Sequence, residues 1–225
     1  MSRRSILSLA IAALVFGAAS ARADNVTFSN FTNGSQTVNI ALSAPNVPTV
    51  EFGSAGGFTA SLNGGASFTT YCVDLYQYIW FGAAFGDYSV VNASAHAFAN
   101  SNAAGDLGKL FSENNVVNNS VSQAAFQIAV WEIAYERSGS YNLANGSATF
   151  TGGSAASSGA LSLATSWLNG LGGVTNTANL MVLESPGHQD QVFATPVPEP
   201  STYALMAAGL LGMGFVARRR IPRQR

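Results

Sequence analysis

Ser120-Val121-Ser122-Gln123-Ala124-Ala125-Phe126-Gln127-Ile128-Ala129-Val130-Trp131-Glu132-Ile133-Ala134-Tyr135-Glu136-Arg137 reads as the clearest helix of the chain, over 121–137. Ser120 stands three residues before Gln123, a capping-box spacing, and Ser138-Gly139 ends the run. At about 100° per residue, Gln127 shares a stripe with Gln123, Ala124, Val130, Trp131 and Ala134, while Glu132 and Glu136 lie opposite. The stripe with Gln127 is the face expected to pack inward. A carboxamide there is costly unless its groups are engaged.

Outward from this helix the pattern changes on both sides. Before it, strands are expected at 26–28, 37–42, 49–52, 58–62 and 67–75, with Asn63-Gly64-Gly65 as a hairpin signal, and beyond 87–91 the character turns Ala-rich. The Ala-rich stretches 93–104 and 107–111 read as helical, 145–159 as a Gly/Ser loop, and 160–171 as a second helix closed by Gly172-Gly173. Strands return at 178–183 and 191–194. Strands, then helices, then strands predict an α+β domain with a sandwich or barrel-like β core and an inserted helical portion, over 24–195.

The ends read differently. Arg3 and Arg4, the apolar run 6–19 and Ala21-Arg22-Ala23 form the three parts of a signal peptide over 1–23. At the other end Val197-Pro198-Glu199-Pro200 precedes an apolar segment, 203–217, and Arg218-Arg219-Arg220. As a helix that segment is about 22 Å long, short of a roughly 30 Å hydrocarbon core. The arginines are expected to stay on the cytoplasmic side, leaving the bulk of the chain outside.

Residues 196–225 thus resemble the PEP-CTERM sorting signal of Gram-negative bacteria, with the Pro198-Glu199-Pro200 triplet, short helix and arginine cluster in order. The resemblance implies an exosortase-type processing enzyme. It also implies anchorage in the inner membrane through the tail before processing, then the cell surface or an extracellular biofilm matrix.

Charge agrees with export into a hydrated matrix. The chain is 48% hydrophobic and only 9% charged. Between Asp24 and Glu199 two bases, Lys109 and Arg137, face eleven acids, a balance near −9. That argues against nucleic acid and anionic membrane as partners.

Cys72 is the one cysteine, in Tyr71-Cys72-Val73-Asp74-Leu75, so no internal disulfide is available to it. The segment and Phe126-Gln127-Ile128-Ala129-Val130-Trp131 together resemble the paired motifs of the thioester domains of bacterial surface adhesins. The present chain has Phe126 where that family commonly has Thr. The resemblance implies a Cys72–Gln127 thioester, with Tyr71, Asp74, Trp131 and Glu132 as supporting residues. It implies single-turnover attachment to an amine- or hydroxyl-bearing surface or matrix polymer, not enzymatic turnover.

The bland alternatives are a buried inert thiol and a passive exopolysaccharide or biofilm-matrix protein without covalent chemistry. A Cys–His hydrolase lacks its flanking pattern, with His96 and His188 the only histidines. Neither a metal site nor a cofactor motif is expected. The segment 183–191 reads as a polar surface turn before the last strand.

Overall fold

The computed structural model describes residues 23–113 and 117–195, together with Gly209, Leu210 and Met213. The expected signal peptide up to Arg22 and the rest of the sorting tail, with Pro198, Glu199, Pro200 and Arg218 to Arg220, lie outside the described residues. Among the described residues no helix is long and apolar enough to cross a membrane.

Among the described residues up to Thr195, nine strands and four α-helices follow the chain in the order β1 (Asp24–Phe31), β2 (Gln36–Leu42), β3 (Thr49–Ala55), β4 (Phe58–Leu62), β5 (Ser67–Cys72), β6 (Ala84–Asn92), α1 (Ala103–Ser112), α2 (Ser120–Tyr135), β7 (Ala148–Thr151), α3 (Gly153–Ser157), α4 (Ala160–Gly170), β8 (Asn179–Glu184) and β9 (Gln191–Thr195). Six strands close into a barrel, β1-β4-β5-β9-β8-β6, and β3-β2-β7 form a separate sheet. The pairings within both are antiparallel. These four helices fall between β6 and β8, so the barrel core with a helical insertion is what the sequence pattern predicts.

Alternation explains the strands. In β2, Val38, Ile40 and Leu42 are buried on one face. In the barrel, Phe28 meets Phe58, Phe85 and Tyr88 at ring-centroid distances of 6.0–6.2 Å, the spacing of favourable tilted and edge-on aromatic pairs.

Three expectations need correction. The 93–104 stretch is not helical until Ala103. Its polar groups are taken by neighbours: the Asn92 carboxamide oxygen accepts from Ser94 N–H, and Asn100 spans from Asn102 N–H to the Ile133 carbonyl. Such local side-chain bonds compete with the helical ladder. The 145–159 stretch holds β7 and α3 rather than one loop, because 148–151 finds an open edge on β2.

The third correction concerns α2. Its N-cap is Asn119, whose Oδ1 accepts from Val121 and Ser122 N–H at 3.0 and 2.9 Å, while Ser122 Oγ accepts from Asn119 N–H. Gln123 is therefore not the capping partner. Asn119→Ala is expected to lower stability by about 1 kcal/mol, read as a lower denaturant midpoint with unchanged slope. Nor does α2 have a solvent face. It packs against α1, α3, α4, β2, β3, β5 and β7, and Glu132 and Glu136 are as buried as Gln127.

Candidate functional site

The site forms where β5 runs out of partners. Val73 N–H turns toward β9 and donates to the Asp190 carbonyl, so Cys72 N–H and C=O turn the opposite way. There β4 has already ended, its last pairing being Phe58 with Thr70. Gln127 of α2 takes the place of the missing strand. Cys72 N–H donates to Gln127 Oε1 at 2.9 Å, and Gln127 Nε2 donates to the Cys72 carbonyl at 2.8 Å. Both residues are fully buried. The carboxamide that sequence periodicity turned inward is thus satisfied by the backbone of the cysteine itself.

The thiol sits beside this clasp. Cys72 Sγ donates to the Asp74 carbonyl at 3.0 Å. Burial pushes its pKa far above the ordinary thiol range; the Trp131 indole opposes this and the Asp74 carboxylate adds to it. The indole N–H meets no acceptor at hydrogen-bonding geometry, so its pull on the sulfur is weak. Cys72 is therefore a neutral thiol.

Tyr71 and Gln123 brace the pair, the Tyr71 hydroxyl donating to Gln123 Oε1 at 2.7 Å. Gly57 permits this approach: an added Cβ would fall 2.8 Å from Gln123 Nε2 and 2.9 Å from the Tyr71 ring. Trp131 stacks on Phe150, planes 9° apart and centroids 6.0 Å apart, and reaches the wall of the Cys72 cavity. The Asp74 carboxylate accepts from Tyr76 N–H and, by burial, has a raised pKa. Glu132 points elsewhere. Its Oε1 accepts from Asn142 N–H at 2.6 Å, so it braces the loop after α2 rather than the thiol.

Cys72 lines a cavity of about 270 Å³. Phe31, Phe58 and Phe81 form one wall, with centroids 5.1–5.9 Å apart. The mouth carries Tyr78 and Trp80, 63% and 59% exposed. Three polar residues that sequence reasoning missed also line it: Glu51 and Ser54 from β3, and Gln189 from the turn before β9. Glu51 Oε1 accepts from the Tyr78 hydroxyl at 3.0 Å. The only hint in the sequence was a carboxylate between Val50 and Phe52 on an alternating strand. The 183–191 turn is thus more than a surface connection, since Gln189 reaches the cavity and Gln191 is fully buried.

The histidines are engaged away from the thiol. His96 Nδ1 lies 2.6 Å from Glu184, and His188 Nδ1 lies 3.0 Å from both Asp87 oxygens. Ser185 completes a Ser-His-Asp composition with its Oγ 3.4 Å from His188 Nδ1, but its hydroxyl proton goes to Asp87 at 2.8 Å and its oxygen accepts from Gly187 and His188 N–H. That is the bonding of a turn, not of a nucleophile facing a base. Among the described residues no group of three or more His, Cys, Asp or Glu is placed to hold a metal ion.

Among curated proteins no sequence match is found. Two solved structures share similarity over 81% of this chain and 97% of theirs: the N-terminal thioester domain of fibronectin-binding protein SfbI from Streptococcus pyogenes (13% identity, TM-score 0.46) and the N-terminal domain of the Streptococcus pyogenes pilus tip adhesin Cpa (11% identity, TM-score 0.47). Residues 196–220 match the family model of the PEP-CTERM protein-sorting motif. The chain thus carries a PEP-CTERM protein-sorting motif, a signal that implies an exported protein handled at the membrane by an exosortase-type enzyme.

Proposed function

We propose that Cys72 and Gln127 condense to an internal thioester and that the domain, 24–195, is a covalent-attachment module. The observation that carries this reading is the clasp: a fully buried carboxamide held at both ends by the backbone of a fully buried cysteine. Attack of Sγ on Gln127 Cδ forms the C–S bond and breaks the C–N bond. The thiol proton ends on the departing nitrogen, which leaves as ammonia, so the step needs no external reagent. Cys72 N–H donates to Oε1, where negative charge develops, as an oxyanion donor must. The fixed pairing supplies the proximity that a poor acyl donor such as an amide requires. The aromatic walls keep bulk water from the bond.

An amine or hydroxyl on a surface or matrix polymer then takes the Gln127 acyl group, and Cys72 is released as a thiol. Each molecule reacts once, so the domain is not an enzyme in the turnover sense. Export, removal of the tail and display at the cell surface or in the matrix complete the reading.

Intact mass of the purified 24–195 domain tests it. The wild type is expected to lack the mass of one ammonia and Cys72→Ala to show the full mass. Methylamine should restore a covalent adduct at Gln127 and expose one alkylatable thiol. Full mass in both proteins removes the reading.

A second reading, a passive polysaccharide-binding matrix protein, is favoured by the exposed Tyr76, Tyr78 and Trp80, which offer flat faces to sugar rings. It predicts the full mass and saturable binding that washes off in denaturant.

A further inference from the structure

The cavity in front of Cys72 has one charged side chain in its wall, and its sign is negative. Glu51 reaches the lining from the outer strand of the β3-β2-β7 sheet, beside Tyr78, Trp80 and Phe81. Among the described residues no Lys, Arg or His forms an ion pair with it. Its partners are neutral donors, the Tyr78 hydroxyl at 3.0 Å and, more distantly, the Thr49 hydroxyl at 3.5 Å. The remaining wall is uncharged and mostly apolar, from Phe31, Ile40, Leu75 and Ile79 inward to Trp131, with Ser54 and Gln189 as neutral polar members.

A carboxylate beside aromatic faces attracts a cation twice, by its own charge and by the ring quadrupoles. The apolar depth below suits a hydrocarbon stem. A neutral sugar hydroxyl can donate a hydrogen bond to the carboxylate but lacks the charge–charge attraction and must shed water to enter.

We infer that Glu51 is the specificity-determining residue of the site, holding an incoming alkylammonium group and accepting its proton so that the free amine can attack. The inference rests on the thioester reading and adds to it the residue that decides between cationic and neutral nucleophiles. The ammonium passes one proton to the Glu51 carboxylate. The amine lone pair then forms the C–N bond at Gln127 Cδ, the C–S bond breaks with its electrons going to Sγ, and the second nitrogen proton ends on sulfur. Glu51 returns its proton to solvent. Tyr78 is a positioning residue that fixes Glu51 Oε1.

The test uses wild type, Glu51→Gln and Tyr78→Phe, each first checked by intact mass for the loss of ammonia. Rate constants are then measured near neutral pH with n-butylamine, which is protonated there, and with hydroxylamine, which is neutral. In Glu51→Gln the ratio of the butylamine to the hydroxylamine rate constant is expected to fall about a hundredfold, the low end for a positioned proton acceptor. Tyr78→Phe should lower the same ratio by a smaller factor. The butylamine rate of Glu51→Gln should also rise more steeply with pH than that of the wild type, because free amine then has to arrive from solution. An unchanged ratio overturns the assignment, including the case in which both nucleophiles slow equally. If the wild type shows no loss of ammonia, the thioester reading fails separately. Quenching of tryptophan fluorescence by n-butylammonium, weakened in Glu51→Gln or not, then decides whether Glu51 is a cation site.

Discussion

Gln127→Ala is expected to destabilise the domain by about 4 kcal/mol when made in a Cys72→Ala background, where no bond can form in either protein. Two buried backbone groups of residue 72 lose their partners, each worth about 1–3 kcal/mol when left unsatisfied. Removing the carboxamide also leaves a void beside Trp131 that adds about 1 kcal/mol. Against a total stability of roughly 5–15 kcal/mol that loss is severe. Cys72→Ala in a Gln127→Ala background, where again no bond can form, removes one sulfur with a single weak hydrogen bond and should cost about 1–2 kcal/mol. Denaturant unfolding of the single and double variants gives both numbers. The contrast matters because the two residues are equivalent in the chemistry: either substitution abolishes the adduct. Gln127 alone replaces a missing strand. Equal costs for the two substitutions would mean that the clasp does not hold the end of β5.

The meeting of Cys72 and Gln127 was legible because each sits in a short, unusual local pattern, and because a helical period turned Gln127 inward. The barrel with its helical insertion was legible from the order of periodicities. What escaped had a common cause. Periodicity assigns a helix one buried face, but α2 is enclosed by three helices and four strands, so Glu132 and Glu136, expected opposite the core, are inside it. Composition assigned 93–104 to a helix, while Asn92 and Asn100 spend their side chains on backbone groups that a helix would need. Glu51 and Gln189 line one cavity from positions 138 residues apart in the chain, and each is unremarkable in its own segment. Short patterns reveal what is near in sequence; the cavity wall is assembled by strand pairing, which no local pattern announces.

Enclosure of α2 has a consequence for pH. Glu132 is fully buried, its Oε1 accepts from Asn142 N–H, and its Oε2 meets no donor. Burial pushes its pKa from 4.5 up to about 8, with the Asn142 N–H opposing and the nearby Glu136 adding to the rise. Glu136 behaves oppositely: burial raises its pKa, but N–H donors of Ser138, Ser147 and Ala148 outweigh that and leave it lowered. In the unfolded chain Glu132 ionises near the ordinary value, whereas in the fold it holds its proton to about pH 8. The folded state therefore binds more protons between these limits, and stability declines as pH rises across them. Below the lower limit the contribution is fully present; above pH 8 it is gone. Asp190, raised by burial to about 6, adds a decline of the same sign confined to the lower part of the window. Glu132→Gln keeps an acceptor for Asn142 N–H and cannot ionise. It is expected to match the wild type near pH 4 and to be about 3 kcal/mol more stable near pH 9. That figure is an order of magnitude, taken at about 1.4 kcal/mol for each tenfold change in proton affinity and discounted for relaxation of the fold. Urea unfolding of both proteins across that range reads the difference directly. Parallel curves would mean that Glu132 is charged in the fold, with its second oxygen reached by solvent. A gap that widens from about pH 4.5 to pH 8 would instead identify Glu132 as the titrating group, because Asp190 titrates in both proteins and cancels in the difference.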